Sequence, residues 1–130
     1  MDDAPGSPDT DGPLLAIVDG ANVVGSRPDG WWRDRKGAAE RLRDRLAADG
    51  LPGRHDPVEI VLVVEGAARG VASVPGVRVE SAPGSGDDRI VELAAGASGR
   101  DRLVVTADRE LRRRVTELGA EVAGPRAVLG

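Results

Sequence analysis

Residues 14–22 read Leu-Leu-Ala-Ile-Val-Asp-Gly-Ala-Asn. Five apolar side chains run without a polar interruption, then stop on an acid and a glycine. A half-exposed strand alternates apolar and polar residues, whereas a strand covered on both faces stays apolar throughout. Leu14–Val18 is therefore a buried strand. Val58–Val64 repeats the pattern, and Val77–Ser81 and Leu103–Ala107 read as third and fourth strands. Between them lie helical patterns: residues 33–49, with Ala39, Leu42 and Leu46 on one stripe and Gly50, Pro52 and Gly53 as the stop; residues 87–95; and Arg109–Leu118, with Leu111, Val115 and Leu118 at core spacing and Gly119 behind. Gly25–Gly30 is turn-rich, residues 65–76 leave room for only a short helix, and Glu121–Ala123 reads as a short fifth strand. Strands alternating with helices give an α/β class, a small doubly wound (Rossmann-like) parallel sheet with helices on both faces.

The chain has 130 residues, enough for one domain with a real core. Residues 1–12 are acidic, rich in Pro and Gly, and without apolar periodicity, so they read as a disordered acidic tail ahead of a single domain over 13–130. No cysteine is present, which excludes disulfides, thiolate metal sites and cysteine nucleophiles, and the single histidine, His55, excludes a multi-histidine metal site. The longest apolar runs have five residues and no charged-then-apolar leader opens the chain, so the expectation is a soluble, cytoplasmic protein with no membrane partner. Four of the 22 acids lie in the first twelve residues, which leaves residues 13–130 with 18 acids and 18 bases. Contact with a polyanion would then depend on a local arginine cluster rather than on overall charge.

Ligands of doubly wound sheets bind beyond the carboxyl ends of the strands, where the strand order reverses. Each of the four principal strands brings an acid to that edge: Asp19 after the first, Glu65 after the second, Asp87 and Asp88 across a loop from the third, and Asp108 after the fourth. Helix capping competes as an explanation, because Asp is a favoured N-cap and Ser85-Gly86-Asp87-Asp88 has capping-box spacing. Asp19 resists that explanation, since the first clear helical stripe begins well downstream. Converging carboxylates repel one another unless a cation neutralises them, and an all-oxygen set without His or Cys favours Mg²⁺ or Mn²⁺. Such sites serve phosphoryl or phosphodiester chemistry.

Three stretches, IVDGANVVG, the GSGDD loop and VVTADRELRRRVTELGA, together resemble the NYN branch of the PIN-like ribonucleases over roughly residues 14–129. The resemblance implies a parallel sheet of order 3-2-1-4-5, with Asp19 and Asp108 flanking the switch point. It implies a metal-dependent nuclease, acting mostly on RNA, or an RNA-binding relative of the same fold. Carried over by position, Asp19 is the central metal ligand, with Asp88, Asp108 and Glu65 as further ligands. Asn22 orients a ligand or water, Asp87 and Asp88 form the acidic motif, and Thr106 is the hydroxyl residue two positions before Asp108.

Arg109 and Ser85 join Thr106 as candidate substrate contacts; the competing reading of Arg109 is a salt partner for the acids. Arg112, Arg113 and Arg114 read by default as a solvated face. Trp31 and Trp32, the only aromatic residues, read either as a core anchor or lid, or as a stacking platform for unpaired bases. His55 reads as a solvated loop residue. Two rival functions stay open: a non-catalytic RNA-binding or regulatory module, and a phosphate-handling switch, which lacks an acceptor Asp ending the third strand and a lysine in the last loop. Substrate sequence, RNA against DNA, endo- against exonuclease polarity and oligomeric state, homodimer included, are not legible.

Overall fold

The buried strands assemble into a five-stranded, all-parallel sheet of order β3-β2-β1-β4-β5, made of β1 (Leu14–Asp19), β2 (Val58–Val64), β3 (Val77–Ser81), β4 (Arg102–Val105) and β5 (Glu121–Ala123). The computed structural model describes residues 13–54 and 57–129; the acidic tail and His55 lie outside them. The order is the doubly wound 3-2-1-4-5 order expected from the sequence. Fourth-strand bounds shift slightly: β4 begins at Arg102 and ends at Val105, although Thr106 N still donates to Ala123 O at 2.8 Å.

Side chains alternate between two cores. Ala16, Val18, Ile60, Leu62 and Val105 face α2 (Arg35–Asp49), which offers Ala39, Leu42 and Leu46. Leu15, Ile17, Val61, Val63 and Val104 face α3 (Gly86–Gly96) and α4 (Arg109–Glu117), which offer Ile90, Ala94, Leu111 and Val115. The long helix α2 starts at Arg35, capped by Asp34 accepting from Gly37 N at 3.0 Å, and stops at Gly50 with φ 61°. Trp31–Arg33 forms a separate 3₁₀ turn ahead of it.

Two elements depart from the sequence expectation. A six-residue helix, α1 (Gly20–Gly25), follows β1 directly, and α5 (Arg126–Leu129) closes the described chain. Gly at both ends and two adjacent valines make α1 a poor helix by propensity, so packing rather than periodicity creates it. Gly20 allows the tight passage from strand to helix: a Cβ there would lie 2.6 Å from Val63 O.

At the opposite, amino-terminal end of β4, the buried Arg102 serves as a tie. Its guanidinium donates to Ala94 O at 2.7 Å, Leu118 O at 2.9 Å and Arg100 O at 3.1 Å. A cation at the carboxyl ends of α3 and α4 satisfies orphan carbonyls and complements both helix dipoles. Arg102→Leu should cost about 3 kcal/mol or more in urea unfolding, because it strands buried carbonyls. Gly20→Ala should cost about 1–3 kcal/mol through overpacking against a backbone atom that cannot step aside. Wild-type midpoints for either variant would contradict these packing roles.

Candidate active site

The pleat of the sheet decides which side chains meet. Ile17 and Val63 lie on the α3/α4 face, so Asp19 and Glu65, two residues further along each strand, continue onto it. Val104 shares that face, and Thr106 follows it by the same period. Val18 pairs with Val105, which sets Asp19 beside Thr106 across the two central strands. The first turns of α3 and α4 close over this edge and add Asp87 and Asp108.

Hydrogen bonds knit the edge together. Thr106 Oγ1 donates to Asp19 Oδ2 at 2.9 Å and accepts from Asp108 N at 3.1 Å. Asn22 N donates to Asp19 Oδ1 at 3.2 Å, and Ala107 N donates to Asn22 Oδ1 at 2.8 Å, pinning α1 to the loop after β4. Glu65 Oε1 accepts from Gly86 N at 2.7 Å, an approach that leaves no room for a Cβ at position 86. Glycine is thus needed at Gly86 for the Glu65 contact. Asp108 Oδ1 caps α4 by accepting from Leu111 N at 2.9 Å.

Asp19 is 5% exposed. Burial, together with the negative charges of Asp87 and Glu65, outweighs the Thr106 and Asn22 hydrogen bonds and raises its carboxyl from 3.8 to about 6. Asp87 is raised as well, by partial burial first and then by Asp108 and Glu65. The negative charges acting on Asp19 and on Asp87 link Asp19, Glu65, Asp87 and Asp108 into one electrostatic cluster. Among the described residues, no arginine or lysine forms an ion pair with any of these four.

The remaining sequence candidates are engaged differently. Asp19 does cap a helix, contrary to the sequence reading, because α1 starts immediately behind it. Asp88 is exposed and accepts from Arg114 at 3.2 Å. Ser85 Oγ accepts from Asp88 N at 3.1 Å as the cap of α3, and Arg109 stands exposed on the first turn of α4. Sequence reasoning missed Arg112, whose Nε donates to Thr106 O at 2.8 Å and steadies the end of β4. Its signal was its place in the arginine run one turn beyond Asp108. Arg113 spans Glu110 and Glu117 on the exposed side of the same helix.

Among the described residues, no three His, Cys, Asp or Glu side chains stand close enough to hold one metal ion between them. The donors are carboxylate and hydroxyl oxygens, which suit a hard cation, and Mg²⁺ keeps several waters while taking only one or two carboxylates. The cluster therefore fits a largely hydrated ion held by Asp19 and a neighbour, and does not form a closed cage.

The raised Asp19 carboxyl has a definite sign for stability. Below pH 3.8 the group is protonated in both folded and unfolded chains and costs nothing. As pH climbs through 6 the folded chain must ionise a buried acid, so stability falls across that window by about 3 kcal/mol at most. Asp19→Asn keeps a cap-competent side chain and should be more stable than wild type at pH 7, with the difference closing near pH 4 in paired urea titrations. An equal difference at both pH values would contradict the raised carboxyl.

No family model and no curated protein matches the chain. Among solved structures, the chain is similar to a point mutant of Rae1 (YacP) from Bacillus subtilis, with a TM-score of 0.65 and 21% identity, over 88% of this chain and 71% of that one. At that identity the similarity concerns the fold: the chain shares with Rae1 a doubly wound α/β architecture.

Proposed function

We propose that the chain is a divalent-metal-dependent nuclease that hydrolyses phosphodiester bonds, with RNA as its substrate. One observation carries the reading: Asp19 is buried at the switch point between β1 and β4, near enough to Asp87 and Glu65 for their charge to raise its proton affinity, and no cation is ion-paired with Asp19, Glu65, Asp87 or Asp108 among the described residues. A fold that only needed capped helices has no reason to bury Asp19 where it costs stability. The PIN-like resemblance of the three motifs and the shared fold with Rae1 support the same reading.

A bound Mg²⁺ or Mn²⁺ supplies activation of water and neutralises charge developing on the phosphate. Asp19 would hold it, with Asp87 or Asp108 as second carboxylate and Glu65 nearby. Thr106 keeps the Asp19 carboxylate oriented by donating to Oδ2. Asn22, fixed through Ala107 N, holds the α1 side of the edge in place, and the exposed Arg109 is free to meet a substrate phosphate. Asp88 is the weaker ligand candidate, because Arg114 already pairs with it.

A second reading, a non-catalytic RNA-binding module of the same fold, draws on the absence of any three described carboxylates close enough to share an ion. The two readings separate in one assay. Labelled single-stranded RNA and DNA are incubated with wild-type protein and with Asp19→Asn, in Mg²⁺, in Mn²⁺ and in chelator. Cleavage is expected in either metal, none in chelator, and at least about a hundredfold less with Asp19→Asn, matching the upper loss for groups that merely support a ligand. Cleavage that persists in chelator, or at wild-type rate in the variant, overturns the assignment. Retention of RNA without turnover selects the binding module.

A further inference from the structure

Next to the acid edge lies a groove of about 140 Å³ walled by Gly20, Val24, Trp31, Arg35, Glu65 and Ala68. Its floor is apolar, and two of its walls belong to the edge itself: Gly20 follows Asp19 in the chain, and Glu65 is a member of the carboxylate cluster. A cavity of about 150 Å³ accepts one benzene ring, so this groove has room for a single planar ring. Trp31 packs its ring against Gly25 at the end of α1, where a Cβ would stand 3.5 Å from the indole. Over that indole, 5.3 Å from the ring centroid, sits the exposed Arg35 guanidinium. Beside it, Trp32 is 53% exposed, meets Trp31 edge-on, and carries Arg33 at 5.8 Å.

The stretch Trp31-Trp32-Arg33-Asp34-Arg35-Lys36 holds every aromatic side chain of the chain and three of its cations. Its one acid, Asp34, is spent on capping α2. A chain of net charge −4 thus concentrates stacking surface and positive charge beside its carboxylates. The fold has no need of an exposed Trp32 there.

We infer that this groove is a subsite for one unpaired nucleobase of a single-stranded RNA, seated against Trp31 while the strand's phosphates cross Arg35 toward Glu65. Aromatic faces accept any unpaired base, and arginine contributes both stacking and phosphate contact. A paired base keeps its faces inside the duplex and cannot enter. The inference rests on the nuclease reading only for what happens to the strand after it is seated; the seating itself needs no turnover.

Trp31 and Trp32 are the only fluorophores, since the chain has no Tyr or Phe, so intrinsic emission reports on this patch alone. The test titrates the full chain, in chelator, with a short oligouridylate, with an RNA duplex containing that strand, and with uridine monophosphate. Saturable quenching is expected for the single strand, with the duplex and the monophosphate at least about tenfold weaker. Anisotropy of a labelled strand then compares variants. Arg35→Ala, at an exposed position, and Trp31→Ala should each weaken binding about tenfold, while Trp31→Phe keeps most of it. No saturable quenching, equal binding of the duplex, or wild-type affinity in Arg35→Ala overturns the subsite. Cleavage in Mn²⁺ is measured separately: cleavage without quenching removes the subsite and leaves the nuclease, and quenching without cleavage does the reverse.

Discussion

The Asp19 carboxylate sits between the ends of two adjacent strands, with Thr106 Oγ1 on one oxygen and Asn22 N on the other. That placement follows from the strand order. Because the chain winds outward from β1 to β3 and then returns to lay β4 on the other side of β1, a gap opens at their carboxyl ends. Asp19 fills the floor of the gap, and everything else at the edge is arranged around it: α1 begins on its cap, the loop after β4 is tied to Asn22, and Glu65 reaches over to Gly86. The cost of burying this acid is met by the packing of two apolar cores, one on each side of the sheet.

Capping and clustering of acids are not alternatives in this molecule. Asp19 and Asp108 each use one oxygen to satisfy a helix N–H, and the other Asp19 oxygen accepts from Thr106 Oγ1. The free N–H groups at a helix start attract an acid, and a doubly wound fold places those starts at one edge. The same constraint that asks for caps therefore gathers negative charge. What distinguishes the cluster from ordinary capping is the burial of Asp19 and the raised proton affinity of both Asp19 and Asp87, each caused first by burial and then by neighbouring carboxylates.

Most of the fold was legible because the apolar runs are uninterrupted. Leu14–Val18 and Ile60–Val64 read as doubly covered strands, and Leu111 and Val115 fall in the core as their spacing requires, whereas Leu118, expected with them, ends exposed at the cap of α4. Helix α1 was not legible, since six residues with terminal glycines carry no period; its existence depends on Val23 finding a place in the α2-side core. That gap in the sequence reading is also why Asp19 looked unsuited to capping. That Asp19, Glu65 and Thr106 share one face was legible from position, by counting twos along β1, β2 and β4. The pairing of Asp88 with Arg114 was not, because it depends on how α3 and α4 lie against each other.

The buried guanidinium of Arg102 draws the trailing ends of α3 and α4 onto one group, far from the carboxylates. Both helices begin at the acid edge and finish at this pin, so neither can slide along the sheet without breaking a contact at its remote tip. The opposite bank is held differently, by the Asp19 cap of α1 and by Asn22 against the loop after β4. Loosening the pin would shift the starts of α3 and α4, and with them Asp87 and Asp108, without touching either side chain.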